Sequence, residues 1–275
     1  MGDILRVFPR RTAMTPKDSL AFVGNPPLFR PQNIDEVHVS VAFTWDVKEG
    51  ERLAEAWALY YPRVLLGGPV YGLQGDDFVP GRYVKEGVTF TTRGCNRKCP
   101  WCLVPGNEGK LREIEDFAPG WIVQDNNLLM ASRRHMKRVF DMLREQPHPA
   151  QFQGGLDARL VDDWVADQLK DMKIKQLFLA ADTEGAMGPL AAAIEKLSYM
   201  KHWQRRVFTM IGFGEETIEQ AASRCERVWQ MGGAPYAQLY QPRDHFIKYP
   251  REWKKLQASW ASPAVMSASH GGWIP

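Results

Sequence analysis

Between residues 87 and 242 the hydrophobic pattern changes period again and again, and this limits the fold more than any other feature. Short runs rich in β-branched and aromatic residues read as strands: "GVTFTT" (87–92), "WIVQD" (121–125), "AQFQGG" (150–155), "KQLFLAA" (175–181), "RRVFTMIG" (205–212) and "PYAQLY" (235–240). After the second to fifth of these runs come segments with apolar residues at helical spacing: 131–146, 160–172, 187–200 and 215–232. Parallel neighbours need such crossovers, so the pattern predicts an α/β fold around a parallel sheet. Six strands joined this way make an open doubly wound sheet or a full or partial barrel. In each case the ligand site lies at the carboxyl ends of the strands.

A smaller β-α-β unit precedes this run: strand "EVHVSVAFTW" (36–45), helix "KEGERLAEAWALYY" (48–61) and a short buried strand entering a glycine turn, "RVLLGGPVYG" (63–72). The first ~35 residues, punctuated by Pro and Gly in "VGNPPLFRPQN", read as irregular. The expected division is an N-terminal segment at 1–86, the alternating region at 87–242 and an extension at 243–275. The extension carries a short helix, "REWKKLQASW", and a tail whose Trp and His residues either close over the site or simply pack. A hydrophobic content of 44% in 275 residues suffices for a real core.

The net charge of +3 is too mild to imply an electrostatically driven nucleic-acid binder. The basic stretch "SRRHMKR" (132–138) reads as a solvated helix face. The start of the chain has no apolar core of signal-peptide length, and no segment approaches the ~18 apolar residues of a membrane span, so a soluble, cytoplasmic protein is expected.

The first strand of the alternating region leads directly into "TTRGCNRKCPWCLVPG" (91–106), which holds three of the four cysteines of the chain. Cys95, Cys99 and Cys102 do not look like a disulfide framework in a chain of this length. Three thiolates can wrap one metal centre but leave a tetrahedral zinc, or one corner of a four-iron cluster, open. Structural zinc would need a fourth ligand, and the nearest histidines, His135 and His148, stand on an expected helix and in a Pro-flanked turn. Cys225 sits in an expected helix and reads as a packed residue.

The spacing CxxxCxxC, with the aromatic Trp101 just before the last cysteine, resembles the signature of the radical S-adenosylmethionine superfamily. The similarity extends over roughly residues 87–242 through the strand–helix alternation. It implies a partial (β/α)6 barrel, a 4Fe-4S cluster on Cys95, Cys99 and Cys102, and S-adenosylmethionine as both the fourth ligand and the cosubstrate. The implied chemistry is reductive cleavage of S-adenosylmethionine to a 5′-deoxyadenosyl radical that abstracts hydrogen from a substrate not identified by the sequence. An electron donor such as flavodoxin or ferredoxin is the implied partner.

Further positions resemble the family's cosubstrate contacts. Trp101 is expected to shield the cluster near the adenine. In "MIGFGEET" (210–217), Ile211 and Gly212 match the segment that packs on adenine, while Glu215 and Glu216 are expected in the first turn of the next helix. In "LAADTEG", Asp182 and Thr183 match a polar pair near the ribose or methionine portion; capping the next helix is the other reading. In "QDNN", Asp125 or Asn126 stands where many members carry Gly-Gly-Glu to hold the amino group, a triplet absent here. Asp157 and Arg159 lie at the third strand end, as part of the site or as an Asp–Arg pair. Only Cys225 remains for a second cluster, which would need about three cysteines.

The segment at 36–72 resembles the end of a cobalamin-binding domain in truncated form, without its Asp-x-His-x-x-Gly motif; it reads as a remnant packed on the barrel. Two alternatives stay open: a zinc-stabilised module using Arg93, Arg97, Lys98 and Lys110 on nucleic acid, and a degenerate relative that binds S-adenosylmethionine without turnover.

Overall fold

A computed structural model describes residues 3–71, 79–242 and 245–270. The chain divides into two compact units, Met1–Val88 and Thr89–Pro275. The residues at 72–78, which include the last residue of the expected glycine turn, and the tail at 271–275 lie outside the described residues.

The first unit contains strands β1 (Asp3–Phe8), β2 (Ala21–Val23) and β3 (Ile34–Ser40), helix α1 (Val47–Ala58) and strand β4 (Val64–Gly67). They form one sheet in the order β2-β1-β3-β4, with every pair parallel. Alternation along β1 and β3 buries Leu5, Val7, Val37 and Val39 against Leu53 and Trp57 of α1. Each such side chain contributes roughly 1.5–3 kcal/mol by leaving water. The expected β-α-β unit is β3-α1-β4, with β3 ending at Ser40 rather than at residue 45. The reading of the first ~35 residues as irregular is overturned. "DILRVF" is a central strand, because its apolar residues find β3 across the intervening chain, residues 9–33, that carries the turn signals.

The second unit begins where the chain leaves strand β5 (Val88–Thr89). A short antiparallel pair, β6 (Thr92–Arg93) and β7 (Arg112–Glu113), encloses the one-turn helix α2 (Val104–Asn107). Next come β8 (Ile122–Val123), α3 (Arg133–Arg144), β9 (Ala150–Phe152), α4 (Asp163–Lys170), β10 (Ile174–Ala180) and α5 (Met187–Lys196). β11 (Arg205–Ile211), α6 (Ile218–Gln230), β12 (Ala234–Leu239), α7 (Arg251–Ala261) and α8 (Pro263–Ser269) complete it. The six-stranded sheet has the order β12-β11-β10-β9-β8-β5, and β8 to β12 pair in parallel. The order never reverses, as a doubly wound sheet would require.

One face of this sheet meets the helices. Val123, Phe152, Leu177, Leu179 and Val207 pack with Phe140, Leu169 and Leu190 in the main core. The residues between them point the other way: Gln124 donates to Gln153 (3.2 Å), and Phe178 stacks on Phe208 at 4.4 Å. Helix starts are set by local chemistry, as Ser132 caps α3, Asp162 caps α4, and Thr217 with Gln220 forms a capping box on α6. The true N-cap of α6 leaves Glu215 and Glu216 ahead of the helix, not in its first turn. The C-terminal segment supplies Trp260 and Met266 to a third cluster with Ile211, Cys225 and Trp229. α8, opened by Pro263 after Ser262, was not expected. Among the described residues, no helix is long and apolar enough to cross a membrane.

Candidate functional site

The cysteine loop is closed at its base by the β6–β7 pair and at its waist by Gly94. Gly94 has φ +76°, and a Cβ there would stand 2.3 Å from the Lys110 carbonyl oxygen, so the two limbs cross at a point only glycine permits. Cys95 N–H donates to the Gly109 carbonyl (3.1 Å), and Cys102 N–H closes a turn on the Cys99 carbonyl (3.0 Å). Glu108 ties the limbs together, accepting from Gly94 N–H at 3.1 Å and Asn126 Nδ2 at 2.8 Å, with Arg93 at 3.9 Å.

Four successive strand ends reach this loop. After β8, Asp125 accepts from Thr91 N–H (2.6 Å) and from the Thr91 hydroxyl (2.5 Å). Asn127, also after β8, places Nδ2 at 3.9 Å from Cys95 Sγ. After β9, Asp157 receives Arg97 Nε of the loop at 2.7 Å and Arg159 Nε at 2.8 Å. After β10, Asp182 accepts from Met210 N–H at 3.0 Å and stands beside the Trp101 indole of the loop. After β11, Phe213 meets the Trp101 ring edge-on at 5.4 Å. Cysteines from a loop of sparse secondary structure are thus positioned by the rigid sheet.

The three loop thiols are free and half-buried. Burial pushes the Cys99 thiol up, and the charges of Cys102, Asp182 and Cys95 add to it; Arg159 works in the opposite sense. Burial likewise raises Cys102, against a hydrogen bond from Val104 N–H, with Cys95 and Asp182 adding to the rise. The sulfurs therefore share one electrostatic field, and a cation that also feels Cys99 and Cys95 stands beside it. Among the described residues no group of three or more His, Cys, Asp or Glu side chains forms a ready-made metal site. Cys95 Sγ instead lies 3.9 Å from Met130 Sδ and 3.4 Å from Arg97 N.

The residues singled out in the sequence are not all brought together. Trp101 and Asp182 meet directly, and Arg159 joins the thiols. Asp125 is buried and fully engaged with Thr91, so its carboxylate anchors the loop rather than facing a ligand. Asn126 spends its donor on Glu108. Thr183 is exposed and makes no side-chain cap.

Ile211, a candidate in the segment expected to pack on adenine, has its side chain fully buried in the helix-side cluster with Cys225. Strand parity carries the signal, because Val207 and Ile211 share one face. Gly212 has φ +78° and is covered by Tyr249, whose hydroxyl donates to the Gly212 carbonyl at 3.0 Å; a Cβ would meet that ring at 2.8 Å. Sequence reading missed Glu108, Asn127, Phe213 and Tyr249. Asn127 is the most telling: it is buried, and among the described residues its Oδ1 has no hydrogen-bond partner.

The other candidates lie elsewhere or are spent. His135 is buried on α3 against Phe117, 3.8 Å from Glu113, and His148 lies on Trp121 at the amino ends of the strands, away from the loop. Arg93 and Arg97 are engaged with Glu108 and Asp157, whereas Lys98 and Lys110 are exposed. No protein-family model matches the chain, and no curated protein matches it at a significant level.

Proposed function

We propose that the chain is a radical S-adenosylmethionine enzyme on a partial (β/α)6 barrel, with a 4Fe-4S cluster held by Cys95, Cys99 and Cys102. The observation that carries this reading is that the ends of β8, β9, β10 and β11 all reach the one loop that holds three cysteines. Strands in chain order with their polar groups gathered at the carboxyl ends suit a (β/α) barrel with its site there. The donor set fits the cluster in kind. Three unbridged, half-buried thiols beside a guanidinium leave one iron without a protein ligand. When bound, the cluster supplies the electron that splits S-adenosylmethionine into methionine and a 5′-deoxyadenosyl radical, which takes hydrogen from the substrate.

Each neighbouring residue then has a task. Trp101, held by Asp182 and Phe213, walls the site from water. Asn127, with its buried acceptor unpaired, replaces Asp125 and Asn126 as the group that takes the cosubstrate's amino hydrogen bond. Thr183 and Gly212 remain the cosubstrate contacts expected at the ends of β10 and β11. A flavodoxin or ferredoxin would deliver the electron. The zinc-stabilised nucleic-acid module is less well supported, since two of its four basic residues are paired with internal carboxylates.

Anaerobic reconstitution with iron and sulfide, followed by dithionite and S-adenosylmethionine, tests the proposal by assay for 5′-deoxyadenosine. A brown protein that forms the product is expected. A brown protein whose paramagnetic signal responds to the cosubstrate without product formation identifies the non-turnover reading. A colourless zinc protein overturns both.

A further inference from the structure

The four-stranded sheet of the first unit has its own crevice, independent of the cysteine loop. Its strand order, β2-β1-β3-β4, reverses between β1 and β3: the chain leaves β1 toward one edge and β3 toward the other. Connections that depart in opposite directions leave a gap at the carboxyl ends of the two strands, where open α/β sheets bind ligands. A cavity of about 120 Å³ lies there, lined by Phe8, Pro9 and Arg10 after β1, Ser40, Ala42 and Phe43 after β3, and Tyr83.

The chemistry of the walls narrows the occupant. A dry apolar cavity of about 150 Å³ takes up benzene, so the space suits a single small ring. Phe8, Pro9, Phe43 and Pro69 offer apolar surface. The charged residues cancel: Arg10 Nε donates to Asp46 at 2.7 Å and a second Arg10 nitrogen pairs with the other Asp46 oxygen. A charged ligand would lose hydration without gaining a free counter-charge. The Thr12 and Thr15 hydroxyls lie 3.1 Å apart in one hydrogen bond and accept from Met14 N–H and Thr12 N–H, respectively.

Two polar groups are left for a ligand. The Ser40 hydroxyl makes no hydrogen bond within the described residues. Tyr83 is held by a chain: its hydroxyl lies 2.5 Å from His38 Nδ1, and His38 Nε2 lies 2.8 Å from Glu36. With the Glu36 carboxylate accepting from Nε2, Nδ1 is the acceptor and Tyr83 the donor, a tautomer assigned from this network. The phenol proton is thereby committed, and what Tyr83 offers a ligand is an acceptor.

We propose that this crevice binds a small, uncharged single ring carrying an N–H or O–H donor, of phenol or pyrrole type. The site stands apart from the iron–sulfur reading, and alanine substitution of the loop cysteines is expected to leave it unchanged.

Ligand-observed NMR on the full chain tests this with phenol, and with benzoate and benzylammonium as charged counterparts. Saturation of phenol, its displacement by pyrrole, and at least roughly tenfold weaker binding of both ions are expected. Ala42→Trp, which fills the crevice from an exposed position, should abolish the phenol signal. Tyr83→Phe, which keeps the wall and removes the acceptor, should weaken phenol roughly tenfold and leave toluene unaffected. No phenol saturation, ions binding as well as phenol, or an unchanged signal in a folded Ala42→Trp protein would overturn the proposal.

Discussion

Cys102 lies half-buried in a loop with Cys95 and Cys99, whereas Cys225 lies fully buried on α6 among Ile211, Trp229 and Trp260. The side chain is the same, and the surroundings decide what it can do. Around the loop thiols stand Asp182, Arg159 and one another. Around Cys225 the neighbours are mainly apolar, and burial pushes its thiol up to about 12. A sulfur in the first setting can become a ligand; in the second it behaves as a small hydrophobe.

The sharpest way to break this comparison is to remove each sulfur. Cys95→Ala, Cys99→Ala and Cys102→Ala are each expected to abolish iron binding after anaerobic reconstitution, because two thiolates hold too little of a cluster. Cys225→Ala should retain the parent's iron and lose only about 1–2 kcal/mol of stability from the cavity left behind. Iron and sulfide analysis decides it, and iron lost in Cys225→Ala alone would reverse the assignment.

A smaller effect is expected in alkylation of the folded, iron-free protein. A thiol at about 12 instead of 9 carries roughly a thousandth of the ordinary thiolate at pH 8, and Cys225 is also shut off from reagent. Iodoacetamide with mass spectrometry should therefore label the loop cysteines first and Cys225 only on unfolding. Early labelling of Cys225 would remove the contrast.

The smallest effect sharpens the loop side. Asp125→Asn leaves one acceptor where the carboxylate served both Thr91 N–H and the Thr91 hydroxyl, at an expected cost of about 1–3 kcal/mol. Urea denaturation should register the loss, while the loop thiols alkylate faster and Cys225 keeps its protection. Unchanged loop labelling would show that Asp125 does not position the cysteines.

Much of this was legible in the chain. The alternation from 87 to 242 predicted the five parallel strands β8 to β12 and the helices between them, because a periodicity of two or of 3.6 records which face an element buries. The expected strand "GVTFTT" was too long. Its chain turns aside after Thr89, and Asp125 takes Thr91, a partner 34 residues away that no local pattern announces. The same limit hid β1, whose single apolar run gains meaning only from its pairing with β3.

Local order therefore followed from the sequence by itself, since caps, turn glycines and hydrophobic period act between residues a few positions apart. So did the spacing of Cys95, Cys99 and Cys102 along one loop. Which groups surround those thiols was decided by the tertiary structure alone. Asp125 and Asn126 were equal candidates on paper, yet β8 commits both to the loop and leaves Asn127 with the unpaired buried oxygen. Hydrogen-bond satisfaction depends on distances between strand ends far apart in sequence, and those distances exist only once the sheet has formed.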